Sequence, residues 1–170
     1  MARGLWRALS GLLVLLVFPS LGLAANPGDA ITTTAFLAQA VAVNKFQLAA
    51  SQLALRKTQS AVVHGFAHQM VLDYTVAGMQ LRQAAADAKL PLRDGLDESH
   101  KALLDTLMHT PPGKTLSKAY LETEEKTLRD DLAVFQAYAE RGDNERLKIF
   151  AKEMASVMKS QLEQLGKLRK

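Results

Sequence analysis

The feature that most constrains the fold is a long periodic segment between residues 61 and 88. Eight apolar or aromatic side chains recur there at intervals of mostly three or four residues: Val63, Phe66, Ala67, Met70, Tyr74, Ala77, Leu81 and Ala85. At about 100° per residue, all of them fall within about 60° of one line on an α-helix. The segment therefore predicts a helix with a single buried stripe, which other helices must cover.

Three further segments repeat this periodicity. The first begins at Thr33 or Thr34, either of which can cap it, and ends near Lys57. The other two are predicted to begin at the caps Thr115 and Asp143. Their stripes contain Phe36, Val43 and Ala50, then Leu116, Leu128 and Phe135, then Leu147, Phe150 and Met158. Since no strand-like alternation competes with these segments, the sequence predicts an all-α fold.

The connections between these helices indicate a particular bundle topology. Thr58 to Ser60 form a tight connection, so the first two long helices should make an antiparallel hairpin. Residues 89–114 form a much longer connection, in which Asp97 can cap a short helix that ends near His109. The apolar face predicted for this short helix contains Leu103, Leu104, Leu107 and Met108. We therefore predict a ferritin-like four-helix bundle with a long crossover that carries a short fifth helix.

The N-terminus has the pattern of a secretory signal peptide. Arg3 and Arg7 precede an apolar run from Ala8 to Phe18, and small residues follow around Ala24. This run is shorter than a spanning helix needs, so we expect cleavage and no stable membrane span afterwards. The predicted organisation is a signal peptide at 1–25, a disordered leader at 26–32 and the bundle domain at 33–170. We expect a periplasmic or secreted bacterial protein.

Charge and cysteine content exclude several classes of partner and site. Without Arg3 and Arg7 the formal net charge falls from +4 to +2, and no long basic run exists outside the C-terminal tail. This balance argues against a nucleic-acid partner. The chain has no cysteine, so thiolate metal sites and disulfides are excluded. An envelope protein is the class of partner that this compartment suggests.

Three polar residues lie near the centres of the predicted stripes: Gln47, Tyr74 and Gln161. Because the midpoints of antiparallel helices meet, these side chains should form one central polar layer, and a buried phenol such as Tyr74 needs a hydrogen-bond partner. Two interpretations are open. The layer is either a hydrogen-bonded structure that fixes helix register, which we favour, or the remnant of a metal site in the bundle core.

Four other residues are the weaker candidates for metal ligands. Glu124 and Asp131 fall within the inward sector of their helix, although they can equally lie at its solvated rim. His64 and His68 have the i, i+4 spacing that lets two imidazoles share Zn²⁺ or Cu²⁺, but they lie about 110° to 150° from the core line. A solvated pair is the interpretation we favour for these two histidines.

No motif in the chain predicts catalysis. The sequence has no glycine-rich phosphate loop, no nucleophile elbow and no His-Glu-x-x-His pattern. We therefore expect a non-catalytic protein without a cofactor, which acts through its surface on an envelope partner or in a stress response. The alternatives are a metal-binding or oxidoreductase bundle and a carrier of a small apolar ligand.

A family resemblance rests on a series of motifs along nearly the whole mature chain. These are FQLAASQLAL at 46–55, then Phe66-Ala67, Asp73-Tyr74, Tyr120-Leu121 and Phe150-Ala151. Together they resemble the exported, ferritin-like bacterial proteins of domain of unknown function 4142. In that family pattern a Glu commonly stands at the position of Gln47, and His at those of Tyr74, Leu128 and Gln161. The resemblance thus implies the fold, but with the pattern's plausible ligands replaced in this chain.

Mass spectrometry of the native protein tests the export prediction. The mature N-terminus should lie at Ala25 or Asn26, because small residues there fit the cleavage site of a signal peptide. A soluble cytoplasmic protein that retains residues 1–24 would contradict this prediction.

Overall fold

A computed structural model describes residues 31–168; the predicted signal peptide lies outside the described residues, as do positions 26–30 and 169–170. Five helices make up the described part: α1 (Thr33–Lys57), α2 (Ala61–Asp87), α3 (Glu98–His109), α4 (Lys114–Arg141) and α5 (Glu145–Leu168). Within residues 31–168 there is no strand. The predicted all-α bundle with a short helix in its crossover is confirmed.

Hydrogen bonds between helices show how the bundle is arranged. The hydroxyls of Thr33 and Tyr138 lie 2.7 Å apart, and those of Thr58 and Ser117 lie 2.5 Å apart. The start of α1 therefore meets the end of α4, so these two helices are antiparallel. Likewise, Ala61 at the start of α2 and Leu168 at the end of α5 border the same groove. Each long helix is thus antiparallel to its two neighbours, which is the arrangement of ferritin-like bundles with one crossover.

The crossover returns along the side of the bundle formed by α1 and α4. An ion pair joins Asp94 of the crossover to Lys45 of α1. At the far end, the backbone N–H of Gly113 donates to the carbonyl oxygen of Lys57 at 2.9 Å. The α3 helix packs on both α1 and α4. The crossover therefore covers one side of the bundle and joins the end of the second helix to the start of α4.

Two helices begin with caps that differ from those predicted. Thr32, one residue before the predicted caps, accepts a hydrogen bond from the Ala35 N–H of α1. For α5, Asn144 accepts from the Leu147 N–H at 3.2 Å in place of Asp143. Asp143 instead makes a tertiary contact, in which its carboxylate accepts hydrogen bonds from the hydroxyls of Thr33 and Tyr138. A tertiary contact has therefore replaced the local capping role. The predicted caps Ser60 and Asp97 are confirmed.

The start of α4 also differs from the prediction, because Gly113 and not Thr115 precedes the first helical turn. Gly113 has φ 84° and makes no side-chain cap. This left-handed conformation favours glycine, and it allows the Gly113 N–H to reach Lys57. The tertiary link between α1 and the crossover thus takes precedence over a threonine cap.

The core contains the stripe that the sequence predicts. All eight of its residues on α2 are buried, as are Phe36, Phe46 and Leu147 on other helices. One prediction for α3 is wrong: Met108 is 47% exposed, and of its predicted apolar face only Leu107 is fully buried. The other buried residue of α3 is His100.

The contact between α1 and α2 depends on a small residue. Asn44 of α1 donates from Nδ2 to the backbone carbonyl oxygen of Tyr74 at 2.6 Å. A Cβ atom at Gly78 would lie 2.8 Å from the Asn44 Oδ1 atom. Any larger residue at Gly78 would therefore displace Asn44 and disturb this link beside Tyr74.

Truncation of a core aromatic tests the helix phase. We expect Phe66→Ala to lower the free energy of unfolding by about 3 to 5 kcal/mol, because the buried ring leaves a cavity. The matched control His64→Ala, on the exposed side of the same helix, should change it by less than about 0.5 kcal/mol. Chemical denaturation measures both values. Similar decreases in the free energy of unfolding for the two variants would show that the inward face of α2 is assigned wrongly.

Candidate functional site

The three residues of the predicted polar layer all lie in the bundle core. Their exposed fractions are 0% for Gln47, 1% for Tyr74 and 1% for Gln161. The Tyr74 hydroxyl donates to Gln161 Oε1 at 3.5 Å, at the long limit of such bonds. Gln161 in turn donates from Nε2 to Asp73 Oδ2 at 2.9 Å. The polar partner of Tyr74 is therefore Gln161 of α5, which is itself anchored to α2.

Gln47 hydrogen-bonds across the bundle to α4. One end of its amide lies 3.4 Å from Thr127 Oγ1. The other end faces Glu124, at 2.5 Å from Oε2 and 3.3 Å from Oε1. Glu124 is fully buried, so it lies in the core and not at the solvated rim that the sequence left open. The central layer thus has two hydrogen-bonded halves, one between α2 and α5 and one between α1 and α4.

Burial favours the neutral, protonated form of the Glu124 carboxyl. Burial raises its pKa well above the usual value, and the negative charge of Asp131 raises it further, whereas a hydrogen bond donated by Gln47 to the ionised carboxylate would lower it. The separation of 2.5 Å is short for an amide N–H donor and normal for an O–H donor. A neutral carboxyl that donates to the Gln47 amide oxygen explains both observations. It also leaves Gln47 Nε2 free to donate to Thr127.

The two tyrosines nearest this carboxyl are neutral phenols. Burial is the largest cause that raises the pKa of Tyr74 and of Tyr120, and negative charge at Glu124 adds to it for both. The Tyr120 hydroxyl also lies 2.9 Å from Ser51 Oγ. Neither phenol is therefore activated as a base or a nucleophile.

A cluster of three titratable residues lies between the crossover and α4. Asp97 Oδ2 lies 2.7 Å from His100 Nδ1, and His100 Nε2 lies 3.6 Å from Asp131 Oδ2. Asp131, a predicted candidate, is buried here like Glu124 and does not lie at the rim. Burial alone would lower the pKa of His100, but the carboxylates of Asp131 and Asp97 outweigh it and raise the pKa overall. The sequence analysis missed His100; only its i, i+3 spacing from the cap Asp97 signals this pairing.

The histidines that the sequence favoured over His100 lie elsewhere. His64 and His68 are both exposed on α2, whereas Asp131 lies on α4 beneath the crossover. In residues 31–168, no three side chains of His, Asp or Glu converge as a metal cage would require. The structure therefore does not bring the four predicted candidate ligands together at one centre.

One line of residues along the outer surface of α2 is mostly apolar. We call Gly65, His68, Leu72, Val76 and Met79 the exposed α2 face; at helical spacing they share one side, opposite the core stripe. Its three large apolar side chains are 48% to 51% exposed. Among the residues from Ala61 to Leu81, Asp73 alone is charged, and it accepts hydrogen bonds from Gln69 and Gln161. No described helix is long and apolar enough to cross a membrane.

The sequence profile of one family, domain of unknown function DUF4142, matches residues 19–168. The chain belongs to the DUF4142 family. The resemblance inferred from the sequence motifs is thereby confirmed. No curated protein matches this DUF4142 chain.

Two solved structures are similar to this DUF4142 protein in fold. One is a DUF305 protein of Streptomyces coelicolor that is described as inferred to be secreted. It is 16% identical to this chain, with a TM-score of 0.67, and the match covers 82% of this chain and 92% of that protein. The other is a DUF305 fragment of Deinococcus radiodurans, with 10% identity and a TM-score of 0.67 over 82% of this chain and 97% of its own. At such identities the likeness shows a shared helical fold.

The raised pKa of Glu124 has a measurable consequence for stability. Since its pKa is raised in the folded state, that state keeps a proton which the unfolded chain loses above its ordinary pKa. Glu124 therefore makes the free energy of unfolding fall as pH rises above 4.5, the ordinary pKa of a glutamate. We expect Glu124→Gln to be more stable than wild type at pH 8 and to lose this advantage near pH 4, in urea denaturation.

The matched control for this experiment is Glu122→Gln, on an exposed position of the same helix. Its stability should follow wild type across the same pH range. A Glu124→Gln variant that is less stable than wild type at pH 8 would show that an ionised carboxylate stabilises the layer.

Proposed function

We propose that this DUF4142 protein is an exported, non-catalytic helical bundle that binds an envelope protein through the exposed α2 face. The observation that carries the proposal is the alignment of Leu72, Val76 and Met79 on three successive positions of one helix side. Single exposed apolar residues are common on soluble proteins, but an aligned, uncharged stripe is typical of interaction surfaces. The spacing i, i+4, i+7 is also the one by which helices dock into apolar grooves.

The composition of this face supports a protein as the partner. The centres of protein interfaces are depleted in charged residues and enriched in methionine and aromatic residues. The α2 face fits this description, because it contains Met79 and its charged neighbour Asp73 is already hydrogen-bonded within the bundle. The crossover helix α3 packs on α1 and α4, and Leu72, Val76 and Met79 stay about half exposed.

The closed state of the central layer supports a non-catalytic role. Gln47, Tyr74 and Gln161 are almost completely buried, and their polar atoms hydrogen-bond to neighbouring side chains. A substrate would have to separate the helices to reach them. Export is supported by the signal-like pattern of residues 1–25 and by the likeness in fold to a DUF305 protein described as inferred to be secreted.

Site-specific photocrosslinking tests the proposal in living cells. A photoreactive residue placed at Leu72 or Met79 of the full-length protein should give one covalent adduct with an envelope protein. The matched control places the same residue at Lys118, an exposed position on α4. This control should give no adduct, because α4 packs against the crossover on a different side.

A second substitution links the adduct to the apolar stripe. Val76→Glu should abolish crosslinking from Leu72 while changing the free energy of unfolding by less than about 0.5 kcal/mol, because the side chain is exposed. Equal adducts from Lys118 and Leu72, or an adduct that persists in Val76→Glu, would contradict the proposal. An adduct between two copies of this chain would contradict the proposal too, because it would show that this face mediates self-association and not binding to an envelope protein.

A further inference from the structure

The most unusual atom among the described residues is Oδ2 of Asp131. It is buried and has no hydrogen-bond partner in the part of the chain that the structure describes. The other oxygen of the same carboxylate accepts a hydrogen bond from Gln39 Nε2 at 3.3 Å. Buried polar atoms without partners are rare in native proteins, and each calls for a physical explanation. A missing cation beside Oδ2 is one such explanation.

The nearest candidate partner is His100, which is held in place by Asp97 and Phe46. Nδ1 lies 2.7 Å from Asp97 Oδ2, and the other oxygen of Asp97 accepts the backbone N–H of His100 at 2.9 Å. The ring of Phe46 packs against the imidazole, with centroids 5.0 Å apart. When Nδ1 carries the proton directed at Asp97 and Nε2 is deprotonated, the lone pair of Nε2 points towards Asp131. Carboxylate–histidine pairs of this kind orient the imidazole ligands of metal ions in proteins.

The distance between the two facing atoms fits a bridging metal ion. Nε2 of His100 and Oδ2 of Asp131 are 3.6 Å apart, which is too long for a direct hydrogen bond. If a metal ion lay about 2.1 Å from each atom, the angle between its bonds to Nε2 and Oδ2 would be about 120°. Such an angle is within the range of four- and five-coordinate sites. Both side chains are more than nine-tenths buried, so the pair is already positioned. We propose that His100 and Asp131 bind a divalent transition-metal ion that joins the crossover helix to α4.

The surroundings of the pair favour a cation. A cavity of about 190 Å³ borders both residues, and the side chains of Asp97, Asp130 and Gln39 also line it. Lys126 reaches this cavity but is paired with Asp130 at 2.7 Å. Within residues 31–168, no lysine or arginine forms an ion pair with Asp97 or Asp131. The cavity has room for water molecules that complete the coordination shell. One imidazole and one carboxylate, without thiolates, suit ions such as Zn²⁺, Co²⁺ or Mn²⁺.

This site is separate from the exposed α2 face, but it adjoins the central polar layer, because Thr127 both lines the cavity and hydrogen-bonds to Gln47. It differs from the metal interpretations considered from the sequence, since it combines the predicted candidate Asp131 with the unpredicted His100. Because only two protein ligands are present, binding should be exchangeable and not permanent. The metal would hold α3 against α4 and so stabilise the folded state.

Titration of the mature, tag-free protein with metal ions tests the inference. Protein stripped with a chelator is titrated at pH 8 with Co²⁺, followed by visible absorption, and with Zn²⁺, followed by calorimetry. We expect one ion per chain and a melting temperature that rises with Zn²⁺ and falls again with chelator. Asp131→Asn and His100→Gln should each weaken binding at least tenfold, because each removes one of two protein ligands.

Two further variants make the test specific. Asp97→Asn leaves both ligands in place but weakens the support of the imidazole, so we expect binding about 10-fold to 100-fold weaker. His68→Gln, on the exposed α2 face, should bind as wild type does. Failure of wild type to bind Zn²⁺ or Co²⁺ at millimolar concentration would overturn the inference. Binding that is lost in His68→Gln but retained in both Asp131→Asn and Asp97→Asn would overturn it as well.

Discussion

The structure depends on the burial of four continuous apolar stripes against one another. Each stripe is long enough to span the bundle, and the short connection at residues 58–60 forces the first two helices to be antiparallel. The crossover then brings α4 back to the end of α1, where the Gly113 N–H binds the Lys57 carbonyl. The midpoints of all four long helices consequently meet in one layer. Any polar residue at a midpoint must find its partner there, because water does not reach it.

That constraint explains the chemistry of the central layer without a metal ion. Glu124 is a fully buried acidic residue of this layer, and burial raises its pKa and so favours its neutral form. Gln47 accommodates this form, because an amide can both accept from a carboxyl and donate to Thr127. On the other side of the layer, the Tyr74 hydroxyl donates to Gln161, and Gln161 donates to the Asp73 carboxylate. The buried polar groups of both halves therefore find partners among protein side chains.

The sequence predicted the helices and their inward faces because burial follows the helical period. Every predicted core residue of α2, from Val63 to Ala85, is buried for this reason. The caps were less predictable, since Asp143 binds Thr33 and Tyr138, which are close only in the folded chain. His100 was missed on the same ground: nothing local indicates that α3 turns this residue towards Asp131 of α4. Local periodicity thus determines which face is buried, whereas contacts between distant segments determine which polar atoms meet.

The path of the crossover separates the two surfaces to which we assign roles. By packing on α1 and α4, α3 encloses His100 and Asp131 in a small polar cavity with carboxylates around it. Because α3 packs on the side formed by α1 and α4, no segment among residues 31–168 covers the exposed α2 face. Leu72, Val76 and Met79 therefore stay exposed. A cation at His100 and Asp131 would fix α3 to α4 without contact to α2. Metal binding and partner binding should therefore be separable, and a substitution at one surface should leave the other intact.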